Sequence, residues 1–197
     1  TSNDFQAMNL TISNDFVEPD GVTFQAVALS TTGDKLVFQN VRILGNQDTL
    51  QPSSLTSTIV ARAYYKSSYV EGDTDFIFGR GVAVFDDCDI TYIGTRKSNG
   101  AHFAPSTDGT VGYGFGVVNS RIVAGAGSVA GAAALGRAWD VSSEPNSNGS
   151  TVVMNSKIDN QVSVAAPWKT STGGRVFDAT SNRLFEYKNT GEGAAVP

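Results

Sequence analysis

A chain of 197 residues with 40% apolar residues, 17% charged residues and 21 glycines can bury one sizeable core and has a turn-rich globular composition, not a disordered one. Its formal net charge of −5 argues against a nucleic-acid partner, and no apolar run approaches the roughly 18 residues that a membrane-spanning helix needs. The lone cysteine, Cys88, excludes an internal disulfide and a multi-cysteine metal site, and reads as a buried free thiol. The first residues, Thr1-Ser2-Asn3-Asp4-Phe5, lack the basic and apolar segments of a signal peptide, as a mature secreted chain also would, so they leave location open.

Along the chain one short pattern recurs: a small polar residue, two variable positions, then Ile or Val. It runs through Asn9 to Ile12, Asn40 to Ile43, Ser67 to Val70, Asp87 to Ile90, Asn119 to Ile122 and Asn155 to Ile158. Apolar runs precede most of these, as in Leu36-Val37-Phe38, Val82-Ala83-Val84-Phe85, Gly116-Val117-Val118 and Val152-Val153-Met154. Short β-branched and aromatic runs broken by polar turns predict strands. The polar positions lie 31, 27, 20, 32 and 36 residues apart. Such drifting spacing predicts coils carrying loops of different lengths, as in a parallel β-helix whose turns stack about 4.8 Å apart. An antiparallel sandwich remains the alternative at this point. No long amphipathic helix is predicted, and the Ala/Gly-rich stretch from Gly125 to Gly136 reads as a loop or a short helix.

The common catalytic signatures are missing. No serine has glycines two residues on either side, so a nucleophile elbow is absent. His102 is the only histidine and is expected at the surface or lining a cleft. No cluster of zinc ligands or phosphate-binding glycine loop is visible. Carboxylates, amides and arginines remain. They concentrate in Asn46-Gln47-Asp48-Thr49-Leu50 and in the segment from Glu71 to Gly79, where acids crowd against large apolar residues. A carboxylate beside such a run is costly unless its charge is paired or its pKa shifted. Asp73 reads as a turn former, whereas Asp75, next to Phe76 and close to Phe78, reads as functional.

Five ordered motifs then resemble the pectin methylesterase (pectinesterase) family: Gln25 to Leu29 (QAVAL), Gln47 to Leu50 (QDTL), Asp75 to Gly79 (DFIFG), Leu135 to Trp139 (LGRAW, where the family has LGRPW) and Asn189 to Ala194 (NTGEGA). The wording from Gly72 to Ile90 is closer to bacterial members. The resemblance implies an all-β, right-handed, single-stranded parallel β-helix of the pectin lyase-like type, with residues 1–197 forming one catalytic domain. Family domains carry further coils before QAVAL, so a truncated N-terminus is expected. There the Asn9 repeat would form an uncapped end whose Phe5, Met8, Leu10 and Ile12 invite association.

The resemblance also implies roles. Asp75 is the nucleophile toward the C6 methyl ester of methylated homogalacturonan, and Asp48 the proton donor and then the base. Gln25 and Gln47 donate to the oxyanion, Arg137 holds Asp75 ionised and oriented, and Trp139 and Phe76 face the sugar. No metal or organic cofactor is implied. The expected setting is a secreted, periplasmic or outer-membrane-associated monomer acting on pectin. Gln51 where Tyr is common, Ala138 for Pro, and Arg80 for the Asn of plant enzymes depart from the family pattern. They keep a related β-helix esterase or thioesterase in view. A non-catalytic polysaccharide-binding β-helix has no need of paired carboxylates, and a pectate lyase would need calcium carboxylates and a base that do not stand out.

Overall fold

The structure, a computed structural model, describes residues 2–17 and 24–195. It contains strands β1 (Gln6–Ser13), β2 (Leu29–Thr31), β3 (Leu36–Leu44), β4 (Leu50–Pro52), β5 (Arg62–Lys66), β6 (Tyr69–Gly72), β7 (Ile77–Gly79) and β8 (Val82–Asp86). These are followed by β9 (Asp89–Tyr92), β10 (Ala101–Pro105), β11 (Phe115–Val118), β12 (Arg121–Ala124), β13 (Ala134–Gly136), β14 (Ser150–Met154), β15 (Lys157–Ile158) and β16 (Arg183–Tyr187). The described residues form no helix, and the stretch from Gly125 to Ala133 is a run of turns leading into β13.

Every pairing between these strands is parallel, which removes the antiparallel sandwich. The strands stack in three ladders. The first half of β3 leads to β5, β8, β11, β14 and β16, and its second half to β6, β9, β12 and β15. A separate sheet runs β2-β4-β7-β10-β13. Each coil therefore visits the ladders in turn, and the molecule is a right-handed parallel β-helix. β1 lies along the full length of β3, with Phe5, Met8 and Leu10 beside it exposed to solvent.

The recurring polar residue of the sequence has a conformational cause. Asn9, Asn40, Ser67, Asp87, Asn119 and Asn155 all have positive φ, between 46° and 58°. They bend the chain between the first and second ladders in successive coils, and Lys188 repeats the bend with a φ of 50°. Asn and Asp tolerate this left-handed region better than other residues with a side chain. The next residue in several coils then closes a buried ladder. Ser68 Oγ accepts the Val41 N–H, Ser120 Oγ that of Cys88, Ser156 Oγ that of Ser120, and Asn189 Oδ1 that of Ser156. The three hydroxyls each donate to the carbonyl two residues back, on Lys66, Val118 and Met154. Corner backbone groups that no strand can pair are satisfied in this way.

Inward side chains stack along the axis. Phe38 and Tyr65 lie 4.8 Å apart and Tyr65 and Phe85 4.7 Å apart, each pair within 9° of parallel. Cys88 is fully buried, and that burial pushes its thiol up to about 11, as expected of an inert core thiol. His102 corrects the sequence expectation, since it is neither at the surface nor in a cleft but fully buried. Its Nδ1 lies 2.7 Å from the Ala134 carbonyl and its Nε2 3.2 Å from Gln161 Nε2, and burial lowers its pKa to about 4. A neutral ring donating through Nδ1 and accepting through Nε2 satisfies both contacts. A His within the segment Ala101-His102-Phe103-Ala104 carries no sequence mark of this, because its partners lie 32 and 59 residues away.

Candidate active site

The sheet β2-β4-β7-β10-β13 carries the site on its outer face. The coil corner before β4 is Asp48 and the corner before β7 is Asp75, with φ of 61° and 48°. Gln47 pairs with Thr74, the Asp48 N–H donates to the Thr74 carbonyl, and Leu50 is in register with Ile77. Asp48 and Asp75 thus occupy the same position in consecutive coils, about one strand spacing of 4.8 Å apart along the axis. After each aspartate two successive residues are fully buried, Thr49 and Leu50 in one coil, Phe76 and Ile77 in the next. Only the residue after those, Gln51 or Phe78, turns back toward the cleft. Gly72 makes room for this corner, since a Cβ there would sit 2.3 Å from that of Phe76 and 2.5 Å from the Asn46 carbonyl oxygen. Gly79 ends β7 at a φ of 124°, where a Cβ would meet the Pro52 carbonyl oxygen at 2.4 Å.

The result is a cleft of about 450 Å³ lined by Gln25, Val27, Gln47, Asp48, Gln51, Asp75, Phe78, Ala104, Arg137, Trp139 and Thr172. Arg137, just after β13, closes on Asp75 from two coils further on. Its Nε donates to Oδ1 at 2.9 Å and its Nη2 to Oδ2 at 2.6 Å, a two-pronged ion pair. Among the described residues Asp48 has no such partner. Burial first, then the charges of Asp75 and Asp73, push its pKa up to about 7 against the opposing pull of Arg137. Asp73 itself is buried and paired through both oxygens with Arg96.

The amides differ from one another. Gln47 is buried and its Oε1 makes no hydrogen bond among the described residues, whereas Gln25 lies exposed at the cleft edge. Trp139 packs against Phe78 with ring centroids 5.6 Å apart, and its backbone is held by the Pro105 carbonyl and the Ser147 hydroxyl. The loop beyond it is anchored by an Arg80–Glu144 ion pair and a two-pronged Arg175–Asp140 pair. Arg80, one of the departures in the sequence, thus serves the cleft rim.

Of the residues singled out in the sequence, Gln25, Gln47, Asp48, Asp75, Arg137 and Trp139 converge on this cleft. Phe76 does not. It is fully buried, with its ring 5.4 Å from that of His102, and so cannot touch a sugar. Phe78 lines the cleft instead, with Val27, Ala104 and Thr172 as further lining the sequence did not reveal. The run Phe76-Ile77-Phe78 is uniformly apolar, so only the doubled inward step at the corner decides which ring faces out. Phe76→Ala is therefore expected to destabilise the fold by about 3–5 kcal/mol, a large-to-small core loss read by chemical denaturation. Trp139→Ala should leave stability within about 1 kcal/mol and act on KM instead.

Comparison with known proteins carries the assignment further. The family model described as Pectinesterase matches residues 1–197. The chain belongs to the pectinesterase family. A pectinesterase of Ralstonia nicotianae is 41% identical across 98% of this chain and 53% of its own length. A protein of Escherichia coli called putative acyl-CoA thioester hydrolase YbhC is 35% identical across 99% of this chain and 51% of its own. Among solved structures, E. coli YbhC matches with a TM-score of 0.90 and 34% identity over 97% of this chain and 54% of its own. Rice weevil pectin methylesterase matches with 0.86 and 37% identity over 96% and 57%. A pectin methylesterase mutant in complex with a hexasaccharide matches with 0.81 and 32% identity over 99% and 64%. This pectinesterase-family chain spans about half the length of the curated relatives it matches.

Proposed function

We propose that this chain carries the catalytic cleft of a pectin methylesterase, which hydrolyses C6 methyl esters of homogalacturonan to methanol and free carboxylate. The observation that carries the reading is the asymmetric pair: Asp75 held through both oxygens by Arg137, and Asp48 in the same position of the neighbouring coil with its pKa pushed up to about 7. Two carboxylates so close divide the work. A carboxylate oxygen of Asp75 attacks the ester carbonyl carbon, and the tetrahedral oxyanion forms beside the amides of Gln47 and Gln25. In comparable sites each such donor contributes on the order of 3 kcal/mol. As the oxyanion collapses, the C–O bond to the methoxy group breaks and Asp48 gives its proton to the leaving oxygen, releasing methanol. An acyl–Asp75 anhydride remains. Asp48, now ionised, takes a proton from water as the water attacks the sugar's acyl carbon. Collapse breaks the anhydride C–O bond, returns Asp75 as carboxylate with Asp48 as acid, and frees the galacturonate as its carboxylic acid, which loses its proton to solvent. Trp139 and Phe78 offer aromatic faces to sugar rings.

The reading extends to methylated pectin as partner, to a monomer, and to a secreted, periplasmic or outer-membrane-associated setting. No helix of the described residues is long and apolar enough to cross a membrane. Methanol release from highly methylated pectin tests the activity, and EDTA is expected to leave the rate unchanged.

A second reading has one observation in its favour, the similarity to the E. coli protein called a putative acyl-CoA thioester hydrolase. The same Asp chemistry would then act on a thioester. Methanol release without thiol release from acyl-CoA supports the first reading, and the reverse supports the second.

A further inference from the structure

The corner row that carries Asp48 and Asp75 has a third member. Leu29, Leu50 and Ile77 are in register in consecutive coils, and each lies two residues after a corner residue: Val27, Asp48 and Asp75. The backbone agrees. The Ala26 and Ala28 N–H groups donate to the carbonyls of Gln47 and Thr49, as those of Asp48 and Leu50 donate to Thr74 and Phe76. Val27 turns without the left-handed φ of the two aspartates, as suits a β-branched residue, and its side chain, 36% exposed, lines the cleft. Its carbonyl accepts from Asn14 Nδ2 at 3.0 Å, a tie to the chain just after β1. Val27 therefore sits about one strand spacing, ~4.8 Å, beyond Asp48 on the side away from Asp75. The other apolar lining lies on the opposite side: Phe78 belongs to the coil of Asp75, and Ala104 and Trp139 to later coils.

The reaction orients an ester along this row. The acyl carbon has to lie over a carboxylate oxygen of Asp75, and the alkoxy oxygen within reach of the Asp48 proton. The C–O bond that breaks then points from the Asp75 coil toward the Asp48 coil. The sugar ring, on the other side of the acyl carbon, falls toward Phe78 and Trp139, and the alkyl group of the leaving alcohol falls toward Val27. We propose that Val27 is a specificity-determining residue, the far wall of a leaving-alcohol subsite, which receives the methyl group and limits the size of alcohol accepted. The inference rests on the esterase reading above. Val27 is the apolar lining side chain of that end, where Gln25 and Gln51 present amides and the Gln51 Oε1 accepts from Ser30 Oγ at 2.8 Å. A methyl group sheds water against Val27, whereas a longer chain collides with it.

The test measures alcohol release from methyl, ethyl and n-propyl esters of polygalacturonate at equal degree of esterification. Each protein serves as its own control through the ratio of its kcat/KM values. Val27→Ala should raise the ethyl-to-methyl ratio about tenfold, the scale of one methylene in a fitted pocket, and Val27→Phe should lower it about tenfold. The n-propyl ester should follow the ethyl ester in both variants. On the methyl ester itself Val27→Ala should lose no more than about fivefold, because the contact removed is small. A ratio within about twofold of wild type in both variants would overturn the inference even if all rates fell together, since a general disturbance of the cleft lowers them alike. A ratio that moves with Phe78→Ala and not with Val27→Ala would also overturn it, by placing the alcohol on the Arg137 side. Wild-type protein that releases no alcohol from any of these esters would bring down the esterase reading itself, and this inference with it.

Discussion

Asp75→Asn is expected to lower kcat for methanol release by roughly 10⁴- to 10⁶-fold, the scale seen when a covalent nucleophile is removed. An amide oxygen is a far weaker nucleophile than a carboxylate, and the remaining amides and cleft contacts supply binding but no acyl intermediate. The substitution suits the fold because Asn tolerates the left-handed conformation, a φ of 48°, that the corner before β7 demands. Its Oδ1 can still accept from Arg137, so the cooperative melt should persist. Arg137 keeps 32% of its side-chain surface, so solvent can take up what the amide does not bind. Near-normal methanol release by a folded Asp75→Asn protein would remove the proposed mechanism.

Asp48→Asn separates activity from stability and moves them in opposite directions. The rate should fall about 10²- to 10⁴-fold, because the leaving methoxide loses its proton donor and the water its base. Stability should rise, but only at higher pH. The pKa of Asp48 is 3.8 in a model peptide and about 7 in the fold. Between those values the native state holds a proton that the unfolded chain has lost. The contribution of this proton is therefore greatest at acid pH and is lost as pH rises through about 7. Above that, wild type carries an ionised, half-buried Asp48 next to Asp75. A shift of this size corresponds to at most about 4 kcal/mol, and partial exposure of Asp48 reduces it to about 1–2 kcal/mol. Melting curves at about pH 8.5 should place Asp48→Asn about 2–6 °C above wild type, with the two converging near about pH 4. The alkaline limb of the wild-type pH–rate profile, an apparent value of the coupled pair near 7, should vanish in the variant. A variant less stable than wild type at every pH would show that the carboxylate is not strained where it sits.

Much of the architecture was legible because its causes are local. A bend at positive φ favours a small polar residue, so the coil corners appear in the sequence as Asn9, Asn40, Ser67, Asp87, Asn119 and Asn155, whatever lengths of loop separate them. The strands around them appear as short runs of Val, Ile and Phe. Asp48 and Asp75 obey the same conformational rule. Asp75 stood out because large apolar residues follow at once, where a merely turn-forming acid gains nothing, and Asp48 through the QDTL motif. His102 and Phe76 were misplaced for the opposite reason: their surroundings come from residues far along the chain. Ala134 and Gln161 make the environment of His102, and a doubled inward step after Asp75 buries Phe76 fully while Phe78 forms part of the cleft wall.

By itself, then, the sequence determined the repeat, the short strands, the left-handed corners and the chemical types gathered near the two aspartates, all properties set by neighbours within a few residues. Tertiary structure decided which of these share a face. Coils of unequal length bring Asp48 level with Asp75 across 27 residues and Arg137 onto Asp75 across 62, and parallel pairing converts those unequal separations into neighbouring strands. It also set the proton's place. The opposed environments of two chemically identical aspartates, one clasped by a guanidinium and one buried beside negative charge, exist only once the coils have stacked.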